Sequence, residues 1–422
     1  MAVKTQQLSH VYPIGSYLDD QGRLHVGGCD VVEVARDYGT PAFIVSEEDL
    51  RSRARAFTAA FEALHERISL VFATKAFACT AVLRVFAEEG LGCDVASGGE
   101  LAMALRAGMR PERIHMHGNA KSEGELREAL DAGIGDVVID NTGDVDKLER
   151  IIEPGRTQPV QIRVTPDVAG DTHVAISTGQ ADSKFGFGLD DAREAIRRVE
   201  ASDKLELTGL HAHIGSQLLA LEPFRLAVAA MATLGHYDVV NLGGGLGVAY
   251  HRAEVPPSVD EYAAAKVEAV HEHFGTDVLI MDELGRALVA NSCVTAYTVE
   301  SVKHNVSTWV GVDGGMSDNL RPMLYGARYE AEVADRFGGG THCHLVGKHC
   351  ESGDVIVRDA NLSDPRPGDV VVTPATGGYG HSMANNYNGQ PRPPVIFCSG
   401  GDARVVVRRE TYDDLLARDV DA

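Results

Sequence analysis

A lysine stands near the end of an apolar run that is rich in β-forming residues. The run is VFATKAF (71–77), it carries Lys75, and helix-like sequence follows it over residues 80–89. A lysine at the mouth of a buried strand is costly unless its amine is used. Burial lowers the pKa of a lysine and frees the amine to attack a carbonyl. Taken alone, such a lysine is more often a surface residue with its stem on apolar atoms, so the rest of the chain must decide for a Schiff-base lysine.

Other groups capable of chemistry follow a series of short apolar runs, which we interpret as strands. A single histidine or aspartate at a strand end is usually structural, but here seven of eight predicted strands end in such groups. They are Lys75, Asp94, His117 with Asn119, Asp140, His213 with Ser216 and Gln217, Gly243 with Gly244 and Gly245, and Glu283 with Arg286. This pattern predicts a shared site at the carboxyl ends of parallel strands.

The elements that must position these groups alternate between apolar strands and helical stretches. The strand candidates are VFATKA (71–76), GCDVA (92–96), IHMHG (114–118), DVVID (136–140), VQIRV (160–164), LTGLHAHI (207–214), VVNLG (239–243) and VLIMDE (278–283). Eight β/α units in roughly 240 residues predict a (β/α)8 TIM barrel. A doubly wound sheet is the competing architecture, but no G-x-G-x-x-G opens a first helix.

The sequence pattern changes after about residue 290, where strand-like runs dominate. The candidates are CVTAYTVESV (293–302), TWVGVDG (308–314), GDVVVTPAT (368–376) and ARVVVRRE (403–410). We therefore expect an α/β protein with a barrel over 41–290 and an all-β domain, sandwich-like or barrel-like, over 291–422. Residues 1–40 are assigned to the β domain because the barrel does not need them.

The amino-acid composition argues against several classes of partner and location. The 422 residues carry a formal net charge of −22, which argues against nucleic acid or an anionic membrane as the main partner. No apolar run reaches the roughly 18 residues of a membrane span, and the first residues lack the apolar core of a signal peptide. The seven scattered cysteines fit a reducing cytoplasm better than a disulfide framework.

The groups at the later strand ends together suggest one cofactor. The glycine turn at 243–245 can bring backbone N–H groups close to a phosphate, and Arg286 can supply charge. Glu283 could face a protonated ring nitrogen, and His213 could stack on an aromatic ring. With Lys75, these groups describe a pyridoxal phosphate pocket.

Longer stretches carry a family resemblance over nearly the whole chain. They are FATKAF (72–77), CDVASGGEL (93–101), HGNAKS (117–122), STGQADSKFGF (177–187), LHAHIGSQ (210–217), NLGGGLGV (241–248), ELGR (283–286), VDGGMSDNLRPMLYGA (312–327), CESGD (350–354) and GGYGHSMANNYN (377–388). In these motifs the chain resembles the diaminopimelate decarboxylases, within the alanine-racemase-like, fold type III pyridoxal phosphate decarboxylases. That resemblance implies conversion of meso-2,6-diaminopimelate to L-lysine and CO₂, the last step of lysine biosynthesis.

The resemblance also implies roles around the cofactor. Lys75 would carry the cofactor as a Schiff base, His213 would stack on its ring, and Glu283 would pair with its pyridine nitrogen. The other implied cofactor contacts are Asp94, Ser216, Gly243, Gly244, Gly245, Gly285, Arg286 and Tyr379.

For the substrate, the resemblance implies a second set of residues, which are Arg286, Arg321, Tyr325, Tyr379 and Glu351. Cys350 would be the proton donor, and Cys350 and Glu351 would reach into the site of a neighbouring subunit. The active unit would then be a homodimer with shared sites.

Some features of the sequence leave alternatives open. Leu284, Gly378 and Asn241 depart from the usual family residues, which puts fine positioning in doubt but removes no catalytic group. The HCH run at 342–344 and the HC pair at 349–350 match no common zinc spacing, so no metal is expected.

Two other functions remain possible at this stage. One is a sister decarboxylase acting on ornithine, arginine or carboxynorspermidine, and Arg321 discriminates because such substrates lack a distal carboxylate. The other is a non-catalytic cofactor-binding barrel protein. Members of that class are usually single barrels, so the β domain with CESGD (350–354) argues against it.

Overall fold

The computed structural model describes residues 8–167 and 183–420. The chain divides into two compact units. The barrel unit comprises residues 51–247 and 256–288, and the sheet unit comprises residues 1–50, 248–255 and 289–422. Part of one family motif, residues 177–182 of STGQADSKFGF, lies outside the described residues, as do the first seven and last two residues of the predicted β domain.

The chain begins with small elements of the sheet unit. A three-stranded antiparallel sheet is formed by β1 (Tyr17–Leu18), β2 (Leu24–Val26) and β3 (Cys29–Asp30). These strands are followed by α1 (Val31–Tyr38), β4 (Ala42–Ser46) and α2 (Glu47–Glu62). Asp30 begins α1 because its carboxylate accepts hydrogen bonds from the first free backbone N–H groups of the helix.

Eight parallel strands close into a barrel, as the sequence predicts. They are β5 (Ile68–Ala73), β6 (Gly92–Val95), β7 (Ile114–Met116), β8 (Asp136–Ile139), β9 (Gln158–Val164), β10 (Leu205–Ala212), β11 (Val239–Asn241) and β12 (Leu279–Leu284). Each is hydrogen-bonded to its neighbour in chain order, and β12 returns to β5. Every predicted strand run overlaps the strand found, because buried parallel strands are nearly continuous apolar runs.

The helices of the barrel follow the strands in alternation. They are α3 (Thr80–Glu88), α4 (Gly98–Ala107), α5 (Glu123–Ala132), α6 (Thr142–Ile151), α7 (Leu189–Glu200), α8 (Glu222–Ala232), α9 (Val259–Phe274) and α10 (Arg286–Val289). Several begin at side-chain caps. Ser122 and Ser258 each form a capping box with a glutamate three residues later, which satisfies free backbone N–H groups at the starts of α5 and α9.

Lys75 lies beyond its strand rather than on it. The strand β5 ends at Ala73, and residues 74–76 form a short 3-10 turn whose middle residue is Lys75. Thr74 and Ala76 are buried, whereas Lys75 is exposed. The structure therefore agrees with a lysine at the surface. The role of Lys75 as the Schiff-base lysine stays a prediction.

The sheet unit is built around one long strand. Its further strands are β13 (Cys293–His304), β14 (Thr308–Val312), β15 (Glu332–Val333), β16 (Thr341–Val346), β17 (Val355–Leu362), β18 (Val370–Pro374), β19 (Val395–Ser399) and β20 (Asp402–Val407), with α11 (Arg321–Tyr325), α12 (Gly380–Met383) and α13 (Tyr412–Leu416). The first half of β13 pairs with β4 and β18, and its second half pairs with β14. The nine-stranded sheet runs β17-β16-β14-β13-β4-β19-β20, with β18 and β15 joined beside β13.

Two segments of the predicted barrel range belong to the sheet unit. One contains β4, which pairs with β13 and β19 and not with a barrel strand. The other is residues 248–255. The boundaries at 41 and 290 stay predictions. Among the residues described, no helix is long and apolar enough to cross a membrane.

Candidate active site

Lys75 sits among ionisable groups at the carboxyl ends of the first barrel strands. Burial raises the pKa of Glu100, on α4. Burial and the negative charge of Glu283 raise the pKa of Asp94, on β6, to about 6, and the positive charge of Lys75 opposes both shifts. Asp94 can therefore hold or release a proton near neutral pH, close to the lysine amine.

Glu283 stands at the end of β12 and is held from three directions. His117 Nε2 lies 2.8 Å from Oε1, Asn241 Nδ2 donates to the same oxygen at 2.8 Å, and His211 Nε2 lies 3.2 Å from Oε2. The side chains come from four different strand ends and are all buried. These four residues are named the Glu283 cluster below.

The cluster fixes the charge of its carboxylate. Burial by itself would raise the pKa of Glu283, but the neighbouring His117 and His211 outweigh it, so that pKa lies well below its usual range. Burial lowers the pKa of His211 to about 4, which keeps its imidazole neutral. The ligand-type atoms of the two histidines and Glu283 lie within 4.8 Å of one another, which hydrogen bonding among them explains without a metal ion.

The glycine turn after β11 has no room for side chains. A Cβ atom on Gly244 would lie 1.9 Å from the carbonyl oxygen of Glu283, and one on Gly243 would lie 2.6 Å from that of Ala212. Gly243 and Gly245 also take φ values of 53° and 126°, which favour glycine. The glycines are thus required for the backbone to pass this closely between β10 and β12.

His213 is fixed by the same turn. The backbone N–H of Gly244 donates to its Nδ1 at 3.2 Å, so any ring proton of the neutral imidazole lies on Nε2. Burial, followed by the positive charges of Lys75 and Arg163, lowers the pKa of His213 well below its usual value. A neutral ring of fixed orientation suits stacking on a flat aromatic group.

Arg286 begins α10 directly after Gly285 and lies beside the loop that follows β10. Its Nη2 and Nε donate to Ser216 Oγ at 2.8 and 3.2 Å, and its side chain is buried. A buried guanidinium, a hydroxyl and a turn of backbone N–H groups form a site for a phosphate.

In the sheet unit, Arg321 lies in an aromatic box. Its guanidinium carbon is 4.4 Å from the centre of the Tyr250 ring and 5.6 Å from that of Tyr329, and it donates to the Tyr329 hydroxyl. Burial lowers the pKa of Arg321, but the neighbouring tyrosines, including Tyr379, raise it above its usual value. Nε has no hydrogen-bond partner, although the residue is only 4% exposed. Leaving a buried guanidinium N–H without an acceptor is costly, and an anionic ligand would satisfy it.

Tyr325 and Tyr379 are half-buried in the same unit. Tyr325 is the last residue of α11, which Arg321 begins. Tyr379 precedes α12 with a φ of 68°, a left-handed conformation that is uncommon outside glycine and often found at functional sites.

Cys350 and Glu351 project from the loop between β16 and β17, and both are exposed. The Cys350 backbone N–H donates to Asn388 Oδ1 at 2.9 Å, and the Tyr387 hydroxyl donates to Glu351 Oε1 at 2.5 Å. The buried Asp354 anchors the loop, because it accepts hydrogen bonds from the backbone N–H and the imidazole of the preceding histidine, residue 349, at 3.0 and 2.7 Å.

The barrel unit thus brings together the predicted residues from its own strand ends, namely Lys75, Asp94, His213, Ser216, Gly243, Gly244, Gly245, Glu283, Gly285 and Arg286. The sheet unit holds Arg321, Tyr325, Cys350, Glu351 and Tyr379. Sequence reasoning placed His117 at a strand end without a role and missed the contacts of His211 and Asn241. The alternation in LHAHI (210–214) was a usable signal, since residues two apart in a strand share a face.

Comparison with known proteins identifies the family. Residues 47–290 match the family described as pyridoxal-dependent decarboxylase, pyridoxal binding domain. A diaminopimelate decarboxylase of Bacillus subtilis is 42% identical over 422 aligned residues, covering 95% of this chain and 96% of that protein. This chain belongs to the diaminopimelate decarboxylase family.

Solved structures of this decarboxylase family share the fold. The enzyme of Helicobacter pylori complexed with L-lysine gives a TM-score of 0.87 at 32% identity, covering 91% of this chain and 98% of that one. The enzyme of M. jannaschii in co-complex with L-lysine gives 0.91 at 31% identity, covering 97% and 98%. The chain is therefore a pyridoxal phosphate-dependent carboxy-lyase.

The residues of the barrel unit fit that cofactor. The ionised, buried Glu283 matches a protonated pyridine nitrogen, and the neutral His213 matches the ring face. The glycine turn, in which added Cβ atoms would collide, and the Arg286–Ser216 pair match the phosphate.

Proposed function

We propose that this decarboxylase converts meso-2,6-diaminopimelate to L-lysine and CO₂, the last step of lysine biosynthesis. The family supports the reaction, and two related structures are described as complexes with L-lysine. The single observation that carries the substrate assignment is Arg321, a buried guanidinium whose Nε has no partner. A distal carboxylate satisfies it, and diaminopimelate has one where ornithine, arginine and lysine have none.

Pyridoxal phosphate, when bound, supplies an aldehyde that condenses with amines and a ring that accepts the electron pair left as CO₂ departs. Lys75, on the short turn after β5, would provide the amine that holds the cofactor. The ionised Glu283 would pair with the ring nitrogen and favour the protonated ring. Asp94, whose pKa burial raises, lies on the neighbouring strand β6 and is assigned to the same pocket.

Binding of the phosphate is assigned to Ser216, Arg286 and the glycine turn. Gly285 lets the chain turn directly from β12 into α10 at Arg286. His213 lies against the ring face and restricts the cofactor to one plane. Together these contacts orient the reacting bond, which is the main way a protein accelerates such a reaction.

Recognition of the substrate's distal end needs one cation and one anion. Arg321, assisted by Arg286, meets the distal carboxylate, and Glu351 meets the distal ammonium. Tyr325 and Tyr379 line the same end, and Tyr379 also contacts the cofactor. This arrangement disfavours the sister decarboxylases, whose substrates leave Arg321 buried without a counter-charge.

Cys350 donates the proton that replaces the lost carboxylate. A thiol carries a proton that it can give to carbon and recover from solvent, which suits this step. We further propose that Cys350 and Glu351 act in the site of a second copy, so that the active unit is a homodimer with shared sites. Exposure of both side chains in a single chain supports this assignment.

We also propose that the enzyme works in the cytoplasm with its cysteines reduced. All seven cysteines are free, and six of them are buried.

The deciding experiment incubates the purified protein with pyridoxal phosphate and meso-diaminopimelate and follows CO₂ and L-lysine. Parallel reactions with ornithine, arginine and lysine serve as controls. Release of both products from diaminopimelate alone supports the assignment. Turnover of ornithine or arginine in preference would favour a sister decarboxylase, and cofactor binding without CO₂ from any substrate would favour a non-catalytic barrel protein.

A further inference from the structure

We infer that His117, His211 and Asn241 are positioning residues that keep Glu283 ionised and direct its one remaining lone pair at the cofactor's ring nitrogen. The inference rests on the proposed function only in that pyridoxal phosphate occupies the barrel site. It assigns three residues, two histidines and an amide, to the electronic state of the cofactor, although none of them is expected to touch it.

The hydrogen-bond geometry determines the direction of each donor. Gly243 donates its backbone N–H to Asn241 Oδ1 at 3.1 Å, which leaves the amide nitrogen to face Glu283. A neutral imidazole has one N–H, and a lone pair turned toward a carboxylate is repelled. His117 and His211, whose Nε2 atoms face Glu283, must therefore carry their protons on Nε2.

The count of acceptor positions leaves room for one further donor. A carboxylate offers about four lone-pair directions. Oε1 of Glu283 accepts from His117 and Asn241, and Oε2 accepts from His211. One position on Oε2 remains, so Glu283 can take a single additional N–H, which matches the single N–H of a protonated pyridine ring.

His211 carries a second sign of this role. Its Nδ1 is buried and has no hydrogen-bond partner in the structure. An imidazolium would place an unsatisfied N–H there, which is costly in a buried site. The ring therefore stays neutral and acts on Glu283 as a hydrogen-bond donor rather than as a full counter-charge.

Other groups on the neighbouring strands and helices act on the same carboxylate through their charges. They are Asp94, Arg163, His115, His213, Asp282, Lys266 and Tyr262. Lys266 and Asp282 pair with each other at 2.5 Å, so their fields largely cancel at Glu283. Among the described residues, the hydrogen bonds to the Glu283 side chain come from His117, His211 and Asn241.

The sign of the effect follows from proton affinity. Donors to a carboxylate make it a weaker base. Between Glu283 and the ring nitrogen there is one proton, and a weaker carboxylate base leaves that proton on the nitrogen. Loss of either histidine donor makes Glu283 more basic, since burial then dominates, and moves the proton toward the carboxylate.

The test uses the holoenzyme loaded with cofactor labelled with ¹⁵N in the ring, whose chemical shift reports ring protonation. His117→Leu and His211→Leu remove a donor, whereas His117→Gln and His211→Gln keep an N–H near the position of Nε2. His65→Leu is the matched control, because His65 is a similarly buried histidine of the barrel unit that contacts His271 and the Val278 carbonyl instead. The cofactor's ring nitrogen should stay protonated up to a higher pH in the wild type than in either leucine variant.

In each leucine variant the midpoint of ring deprotonation should fall by about one pH unit, a tenfold change in the proton equilibrium. The glutamine variants should stay within a small fraction of that shift, and His65→Leu should behave like the wild type. Leucine variants with an unchanged midpoint would overturn the inference.

A measurement on the wild type keeps the test decisive if the leucine variants fail to fold. With ¹⁵N-labelled histidine, the rings of His117 and His211 should both show a proton on Nε2 in the holoenzyme, and that of His211 should show none on Nδ1. A proton on Nδ1 alone in either ring would contradict the inference. Failure of the protein to bind pyridoxal phosphate would instead refute the proposed function, so the two failures are distinguishable.

Discussion

The barrel unit and the sheet unit prepare their functional side chains in opposite ways. In the barrel unit, Glu283 and Arg286 are buried and already hydrogen-bonded by neighbouring side chains. In the sheet unit, Arg321 is buried with one nitrogen unsatisfied, and Cys350 and Glu351 lie exposed on a loop. The groups proposed to bind the cofactor are thus preorganised within one unit, whereas those proposed to bind the substrate include an unsatisfied nitrogen and two exposed side chains.

Removing the cofactor attachment should have the largest effect. Lys75→Ala should abolish measurable turnover, because no other group described at the strand ends offers an amine in the same turn. In the wild type, borohydride reduction followed by peptide mapping should find the cofactor on Lys75. An exposed lysine of the sheet unit, Lys348, gives the control variant Lys348→Ala, which should retain both activity and trapping. An adduct mapped to another lysine would contradict the assignment.

A smaller loss is expected from the unsatisfied guanidinium. Arg321→Ala should cost on the order of 2–4 kcal/mol in kcat/KM for diaminopimelate, since a buried carboxylate loses its charged partner. Cofactor absorbance per protein should not change. Arg328→Ala, at an exposed arginine nearby, is the control and should have little effect.

The same Arg321 variant can be compared across substrates. Any slow turnover of amino acids that lack a distal carboxylate should be reduced much less than turnover of diaminopimelate. Equal losses for both classes would mean that Arg321 stabilises the sheet unit rather than binding substrate.

The smallest of these effects should come from the loop anchor. Both oxygens of Asp354 accept N–H groups, from Met316 and from His349, so Asp354→Asn must turn an amide N–H toward a donor. The free energy of unfolding should fall by about 1–3 kcal/mol, and kcat should fall because Cys350 is less well positioned. Asp359→Asn, at an exposed position on β17, is the matched control for denaturation and kinetics. If Asp354→Asn is destabilised but keeps a normal kcat, Asp354 stabilises the loop without positioning Cys350 for catalysis.

The barrel was predictable because its strands are largely apolar runs, each followed along the chain by a helix. The strands of the sheet unit were harder to predict from the sequence. Strand β16, THCHLV, mixes polar and apolar residues and is stabilised by pairing with β14 and β17, which a local pattern does not reveal. The partners of β4 lie some 250 and 350 residues further along the chain. Long-range pairing of this kind is decided by tertiary packing.

The site shows the same division. Lys75, Glu283 and Arg286 could be found because charged groups at the ends of apolar strands are conspicuous. The exposed placement of Lys75 could not be predicted, because it depends on where β5 ends and a 3-10 turn begins. The hydrogen bonds from His211 and Asn241 to Glu283 depend on the closure of the barrel, which brings β10, β11 and β12 side by side.

The most direct test of the division between the two units is complementation between two inactive variants. Lys75→Ala lacks the cofactor attachment, and Cys350→Ala lacks the proton donor. Each homodimer should be nearly inactive alone. After mixing in equal amounts and exchange of subunits, half the dimers are mixed, and each has one site with both residues intact.

Activity of the mixture should therefore recover toward about a quarter of the wild type, as random pairing in a two-fold dimer requires. Subunit exchange is verified independently with two differently tagged copies. A mixture that exchanges subunits and remains inactive would show that Lys75 and Cys350 serve the same chain's site, and would contradict the account.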